Sequence, residues 1–271
     1  MSERIAFIGG GNMASAIIGG LIGQGFSPRA IDVVEPFAEA QEKLKSRYGI
    51  VAQAQPAAFL AQAALVIWAI KPQTFKEAAL QVQSHTQNAL HLSVAAGIRS
   101  DSIARWLGTQ RVVRAMPNTP ALIGKGITAL FARPAVTADD KNRVSQVISS
   151  TGEFLWLDAE VQLDAVTALS GSGPAYMFYF MEAMTDAGVD MGLTRAQACQ
   201  LTVATFIGAG ELARSAGEPP EILRQRVTSK GGTTYAAIAS MENDNVKTRF
   251  VRAMHAAYRR AKELGDEFGG A

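Results

Sequence analysis

Arg4-Ile5-Ala6-Phe7-Ile8-Gly9-Gly10-Gly11-Asn12-Met13-Ala14 is the stretch on which the fold turns. Arg4 to Ile8 is a short apolar run of strand type. Asn12 to Gly25 follows with Ile17, Ile18, Leu21 and Ile22 on one stripe, the spacing of a helix. Between them lies G-x-G-x-x-A, which in this setting is a dinucleotide fingerprint. Gly9 permits the tight turn, Gly11 lets a pyrophosphate approach the backbone, and Ala14 keeps helix and strand close. The segment Ile8, Gly9, Gly10, Gly11, Asn12 and Met13 is the expected cradle, because a helix start offers unpaired N–H groups to phosphate.

Working outward, Ala30 to Val34 reads as a second strand and Pro36 to Tyr48 as a polar helix closed by Gly49. Glu35 stands at the end of that strand, 24 residues after Gly11, where an acid accepts the ribose 2′-hydroxyl of NAD and repels a 2′-phosphate. Asp32, in the same strand, points elsewhere by alternation. Leu65 to Ile70, Leu90 to Ala95 and Arg111 to Met116 are continuous apolar runs, as in strands covered on both faces. Phe75 to Thr86 and Asp101 to Leu107 are the helices between them. Thr137 caps a helix running to about Ser150, which Gly152 closes. Alternating strands and helices imply a parallel sheet with right-handed crossovers.

The ends of these strands carry the next candidates, since ligands bind beyond the carboxyl ends of strands in open α/β sheets. Ala69 lies at the end of the LVIWAI run, and Lys71 and Pro72 follow it. Ala95 and Ala96, in Val94-Ala95-Ala96-Gly97, are small enough to admit a ring or ribose. Asn118 lies in the stiff Met116-Pro117-Asn118-Thr119-Pro120 loop.

After Leu163 no strand is expected. Asp164 to Asp190, Arg195 to Ser215, Pro219 to Val227, Thr233 to Glu242 and Val246 to Leu264 read helical, the second opened by the capping box at Thr194. The sequence thus divides into a dinucleotide-binding domain of residues 1–160 and an all-helical domain of residues 161–271. Ala198 to Gly210 carries no charge at all, which marks a core helix or a subunit interface.

Two glycine-rich segments precede helices in this second part: Ser170-Gly171-Ser172-Gly173-Pro174 and Ser229-Lys230-Gly231-Gly232-Thr233-Thr234. The first reads as a helix start with exposed N–H groups, an anion site, and the second suits a carboxylate. Each alone fits a loop with an N-cap, and the two together point to a substrate pocket. Ser172, Ser229, Gly231, Gly232, Thr233 and Thr234 are therefore the substrate-site candidates.

Composition excludes much else. The 271 residues are 48% hydrophobic and 18% charged, with a net charge of +2 from 26 basic and 24 acidic residues. That is no disordered chain, and without a basic run neither nucleic acid nor an anionic membrane is expected as partner. Ile5 to Pro28 is uncharged, but seven glycines between Ile5 and Gly25 spoil it as a leader or membrane span. The lone Cys199 fits a reducing compartment, and the scattered His85, His91 and His255 give no metal-ligand spacing. There is no Cys/His nucleophilic pair and no phosphate-binding P-loop.

Taken together, GGGNMA at Gly9, AIKP at Ala69, VAAG at Val94, RAMPNTP at Arg114, SGSGPAY at Ser170 and SKGGTT at Ser229 resemble the pyrroline-5-carboxylate reductase family over nearly the whole chain. The resemblance implies an N-terminal Rossmann-type doubly wound sheet, an all-helical C-terminal dimerisation domain and a cytoplasmic enzyme of proline biosynthesis. It implies reduction of L-1-pyrroline-5-carboxylate to L-proline by hydride transfer from NADPH or NADH to the C=N carbon. It also implies a homodimer that can assemble into a decamer. The family role of the SKGGTT segment is to hold the substrate carboxylate on backbone N–H groups and Ser229, with the Thr234 hydroxyl at the ring nitrogen as the catalytic contact. Glu35 departs from the small or hydroxyl residue of members that favour NADPH, so this chain leans toward NAD. A β-hydroxyacid dehydrogenase would keep a lysine four residues beyond a glycine-rich segment, yet Gly173 is followed by Pro174-Ala175-Tyr176-Met177. A non-catalytic NAD sensor would leave the Ser170 and Ser229 segments without a use.

Overall fold

The structure is a computed structural model and describes residues 3–269. Its chain forms two compact units: one runs to Ser172 and resumes at Ala257, and the other is Gly173–Ala256.

The first unit is built on strands β1 (Arg4–Ile8), β2 (Ile31–Val34), β3 (Ala63–Trp68), β4 (Leu90–Ser93), β5 (Val112–Met116), β6 (Gly126–Ala132) and β7 (Gly152–Trp156). They form a single sheet in the order β2-β1-β3-β4-β5-β6-β7. The chain winds outward from β1 in both directions, so the turn after β1 lies where strand order reverses. Helices α1 (Asn12–Gly23), α2 (Ala38–Tyr48), α3 (Pro72–Val82), α4 (Ser100–Leu107) and α5 (Ala138–Ser149) link the strands.

The continuous apolar runs are explained by burial on both faces. On one face Phe7, Leu65, Ile67 and Leu92 pack with Ile17, Ile18 and Leu21 of α1 and with Val144 and Ile148 of α5. On the other, Ile8, Val66 and Trp68 pack with Phe75 and Val82 of α3 and with Ile103 and Trp106 of α4. Alternation within β3 sends successive side chains to opposite layers, so every position must be apolar. Thr137 caps α5 through a reciprocal box with Asp140.

Three expectations need correction. The sheet is not wholly parallel, because β6 runs antiparallel to β5 while β7 returns parallel to β6. Gly152 does not close α5, which ends at Ser149 with Ser150 as its C-cap. Gly152 instead opens β7 beside Gly126, where a Cβ would fall 2.2 Å from the Gly126 carbonyl oxygen. The third concerns the start of the helical part. Asp164 to Asp190 is not one helix but α6 (Gln162–Val166), a π-helical turn Thr167–Gly171 and α7 (Gly173–Asp190).

The second unit contains α7, α8 (Arg195–Ala216), α9 (Pro220–Arg226), α10 (Thr233–Asn243) and the first half of α11 (Val246–Gly269). α8 begins with the Thr194–Gln197 capping box. Its interior is thin. Phe250 sits edge-on to Tyr176 and close to Phe180, with ring centroids 5.8 and 5.5 Å away. Along α8 only Ala198 and Thr202 are buried, while Leu201, Val203, Ile207 and Leu212 face outward.

Candidate active site

The turn after β1 is shaped by close backbone approach. Gly9 has φ +95°, and a Cβ there would lie 2.6 Å from the Ala69 carbonyl oxygen. The Gly9 N–H donates to the Val34 carbonyl at 2.8 Å, and the Ala69 N–H donates to the Ile8 carbonyl at 2.9 Å. Ile8, Gly9 and Ala69 are thus brought into one ridge by β1, β2 and β3. Gly11, in contrast, faces open space, with no heavy atom within 4 Å of a Cβ placed there. α1 starts at Asn12 with no side-chain cap and no acidic residue in its first turn. Unspent N–H groups and an open approach make this helix start a fit for a pyrophosphate, and Met13 packs inward against the core.

Glu35 is buried, with 5% of its surface exposed. Its Oε2 accepts from the Gly10 N–H at 2.7 Å and its Oε1 from the Phe37 N–H at 2.9 Å. Gln41 Nε2 donates to the Glu35 carbonyl at 2.6 Å. Phe37 and Gln41 carry no motif, and their part in holding Glu35 has no sequence signal. Asp32 is occupied elsewhere, taking Arg4 Nε at 2.9 Å and Nη2 at 2.6 Å.

Lys71 is the N-cap of α3 and Pro72 its first residue. The Lys71 carbonyl accepts from both the N–H and the hydroxyl of Thr74, and the residue itself is exposed. The loop after β4 is pinned from beneath: the Val94 N–H donates to the Trp68 carbonyl at 3.0 Å and the Ala95 N–H to Ser93 Oγ at 3.3 Å. Ala96 follows at its partly open rim. Asn118 Oδ1 accepts from the Ile127 N–H, so this side chain fastens its loop to β6.

Below that loop, Trp68 Nε1 donates to His91 Nδ1 at 3.0 Å. Burial pushes the imidazole pKa down to about 4. Asp164, on α6, is pushed up by burial against the opposing pull of Arg114, Arg99 and Lys262. Arg114 Nη1 itself donates to Glu160 Oε1 at 2.8 Å, so the arginine of RAMPNTP is a structural cation.

The Ser170 segment is not the open helix start that its glycines suggest. Ser172 is right-handed helical, and its N–H donates to the Thr167 carbonyl at 2.9 Å to complete the π turn. That N–H is spent; the Ser172 hydroxyl remains as its polar group.

Within the second unit, Gly232 is the N-cap of α10, and Thr233 and Thr234 are its first two residues. The Gly232 N–H donates to the Ser229 carbonyl at 3.0 Å, which removes it from the expected carboxylate donors. No side chain caps α10, and both threonines are exposed. Gly231 is exposed beside them. Among the described residues no three His, Cys, Asp or Glu side chains gather as a metal site, and no helix is long and apolar enough to cross a membrane.

A doubly wound sheet, a glycine turn with an unspent helix start and a fixed carboxylate at the end of β2 define a Rossmann-type dinucleotide-binding protein. The chain belongs to the pyrroline-5-carboxylate reductase family. The family model described as pyrroline-5-carboxylate reductase dimerisation matches residues 160–264, and one described as NADP oxidoreductase, coenzyme F420-dependent, matches residues 4–97. The pyrroline-5-carboxylate reductase of Pseudomonas aeruginosa is 44% identical, covering 99% of each chain. A Coxiella burnetii pyrroline-5-carboxylate reductase structure is 38% identical with a TM-score of 0.90, covering 97% of this chain and 99% of that one. A Plasmodium falciparum pyrroline carboxylate reductase, solved with NADP bound, is 26% identical with a TM-score of 0.87, covering 97% and 98%. The chain is an NAD(P)H-dependent reductase of this family.

Proposed function

We infer that this enzyme reduces L-1-pyrroline-5-carboxylate to L-proline as the closing step of proline biosynthesis. The observation that carries the reading is the 44% identity with the Pseudomonas aeruginosa enzyme, which spans both units rather than the sheet alone. Bound NAD(P)H supplies a hydride to the C=N carbon of the protonated cyclic imine, giving the secondary amine and NAD(P)⁺. The pocket then needs no strong acid, which suits the absence of His and Cys from the segments assigned to it.

The residues divide as follows in this proposal. Ile8 to Met13 hold the pyrophosphate, and Glu35 the adenosine ribose. Ala69, Lys71, Pro72, Ala95, Ala96 and Asn118 line the rest of the dinucleotide. Ser229, the Gly231 and Thr233 N–H groups and the Ser172 hydroxyl hold the substrate carboxylate, with Gly232 supplying shape. The ring N–H donates to the Thr234 hydroxyl, which aligns the C=N bond for transfer. The anchored Glu35 favours NADH. The NADP seen with the Plasmodium falciparum relative is the other candidate donor.

The functional division is proposed at residue 160, where the dimerisation-family match begins. The apolar outward face of α8 supports a homodimer; further assembly to a decamer and a cytoplasmic location are proposed from the family resemblance alone. The direct assay is the loss of NADH or NADPH absorbance with pyrroline-5-carboxylate. Substrate-dependent decay with formation of proline is the expected result; no decay with either cofactor overturns the reading.

A further inference from the structure

The second half of α11, from Ala257 on, belongs to the first unit, although the helix begins in the second. From Ala261 on, Ala261 and Gly265 are buried and Leu264, Phe268 and Gly269 are half-buried, while Lys262, Glu263, Asp266 and Glu267 face solvent. This spacing is the stripe of a helix lying on a surface. The surface it covers includes Gly97, the last residue of Val94-Ala95-Ala96-Gly97.

Gly97 has φ +75°, and a Cβ there would lie 3.1 Å from Leu264 Cβ and 3.4 Å from Phe268 Cδ2. Phe268 also packs on the core layer containing Ile98 and Trp106. Polar ties flank the contact: Arg99 pairs with Asp266, and Ser102 Oγ donates to the Gly269 carbonyl at 3.0 Å. Arg99 and Asp266 are at least half exposed, and such a pair contributes little. The apolar cover is therefore the part that holds the loop.

The loop is thus clamped from both sides. Trp68 and Ser93 hold Val94 and Ala95 from the sheet, and Leu264 and Phe268 hold Gly97 from above. Glu35, at the end of β2, marks the adenosine end of a bound dinucleotide. With strand order β2-β1-β3-β4-β5, a dinucleotide held there would run along the strand ends, which would bring its nicotinamide end over β4 and β5. We propose that Leu264 and Phe268 are positioning residues, which set the loop after β4 against the nicotinamide end of the cofactor. The proposal rests on the dinucleotide reading of the site. Hydride transfer needs its reacting atoms about 3–3.5 Å apart, and a displacement of about 1 Å costs on the order of a hundredfold.

The test compares NADH with ADP-ribose, which lacks the nicotinamide. In the full-length enzyme, Leu264→Ala should raise the NADH dissociation constant about fivefold and leave that of ADP-ribose within twofold. It should also lower kcat about tenfold and raise the primary isotope effect with 4-deuterated NADH, and Leu264→Met should restore both. If Leu264→Ala does not fold, Phe268→Leu carries the same comparison. NADH binding and isotope effect unchanged in a folded variant would overturn the proposal, as would equal weakening of both ligands. A wild-type enzyme that fails to bind ADP-ribose would instead overturn the dinucleotide reading beneath it.

Discussion

The Gly10 N–H donates to Glu35 Oε2 at 2.7 Å, while the other carboxylate oxygen takes the Phe37 N–H. One side chain thereby joins the turn after β1 to the turn after β2. Held by two backbone donors, the charge cannot swing out of the way of a 2′-phosphate. NADH should be preferred over NADPH, and Glu35→Ser should move the kcat/KM ratio toward NADPH by roughly ten- to a hundredfold. That range is the roughly 1.5–3 kcal/mol typical of a hydrogen bond to a charged group. Both cofactors should bind less tightly in absolute terms, because the Gly10 N–H loses its acceptor. Steady-state kinetics with the two cofactors decide it, and an unchanged ratio removes Glu35 from the site.

Two glycines of the same turn should fail in different ways. Gly9→Ala places a Cβ 2.6 Å from a backbone oxygen at positive φ, and neither atom can yield cheaply. Thermal melting should show a clear loss of stability together with a loss of NADH binding. Gly11→Val meets no protein atom, so its melting curve should match wild type while NADH affinity falls by roughly a hundredfold. A Gly11→Val enzyme that titrates NADH normally would place the pyrophosphate elsewhere.

His91 makes stability depend on pH. Its folded pKa of about 4 lies below the ordinary value of 6.5, so the unfolded chain binds the proton first as pH falls. Stability is complete above pH 6.5, declines as pH falls from 6.5 to 4, and levels off below that as far as this group is concerned. The loss is on the order of 3 kcal/mol. Denaturant melts of His91→Gln across this window should show a flatter acid limb; the same slope as wild type would assign the acid sensitivity to other groups.

Thr234→Ala should lower kcat/KM for the imine by roughly ten- to a hundredfold, the effect of one lost hydrogen bond that involves charge. NADH affinity should hardly change. Since α10 has Gly232 as its N-cap and no side-chain cap, the variant should not show the roughly 1 kcal/mol stability loss of a missing cap. Lowered melting temperature with normal turnover is the opposite outcome, and would make the threonine structural.

Leu201, Ile207 and Leu212 along α8 are each more than half exposed in the single chain. Sedimentation at micromolar concentration should therefore give a dimer or larger species. Ile207→Glu should shift it toward monomer, because a charge would be stranded in an apolar interface. A wild-type monomer would leave this face without its proposed cover.

Glycine spacing, strand-type apolar runs and an acid at the right distance made the dinucleotide half legible from sequence. These signals are local: a tight turn needs glycine at a given position, and a strand buried on both faces must be apolar throughout. The N-cap at Thr137 and the capping box at Thr194 were legible for the same reason, since cap and partner lie within one turn. What the tertiary structure alone decided depends on partners far along the chain. The antiparallel step from β5 to β6 follows from pairing, and Gly152 opens a strand because Gly126 lies against it. The π turn spends the Ser172 N–H that an isolated SGSGP segment would have left free. Asn118 serves its own loop, and Glu35 is fixed by Gly10, 25 residues away. Leu264 meets Gly97 from the far end of the sequence. No local pattern could announce that contact, because packing selects shape across the fold while sequence periodicity records only which side of an element is covered.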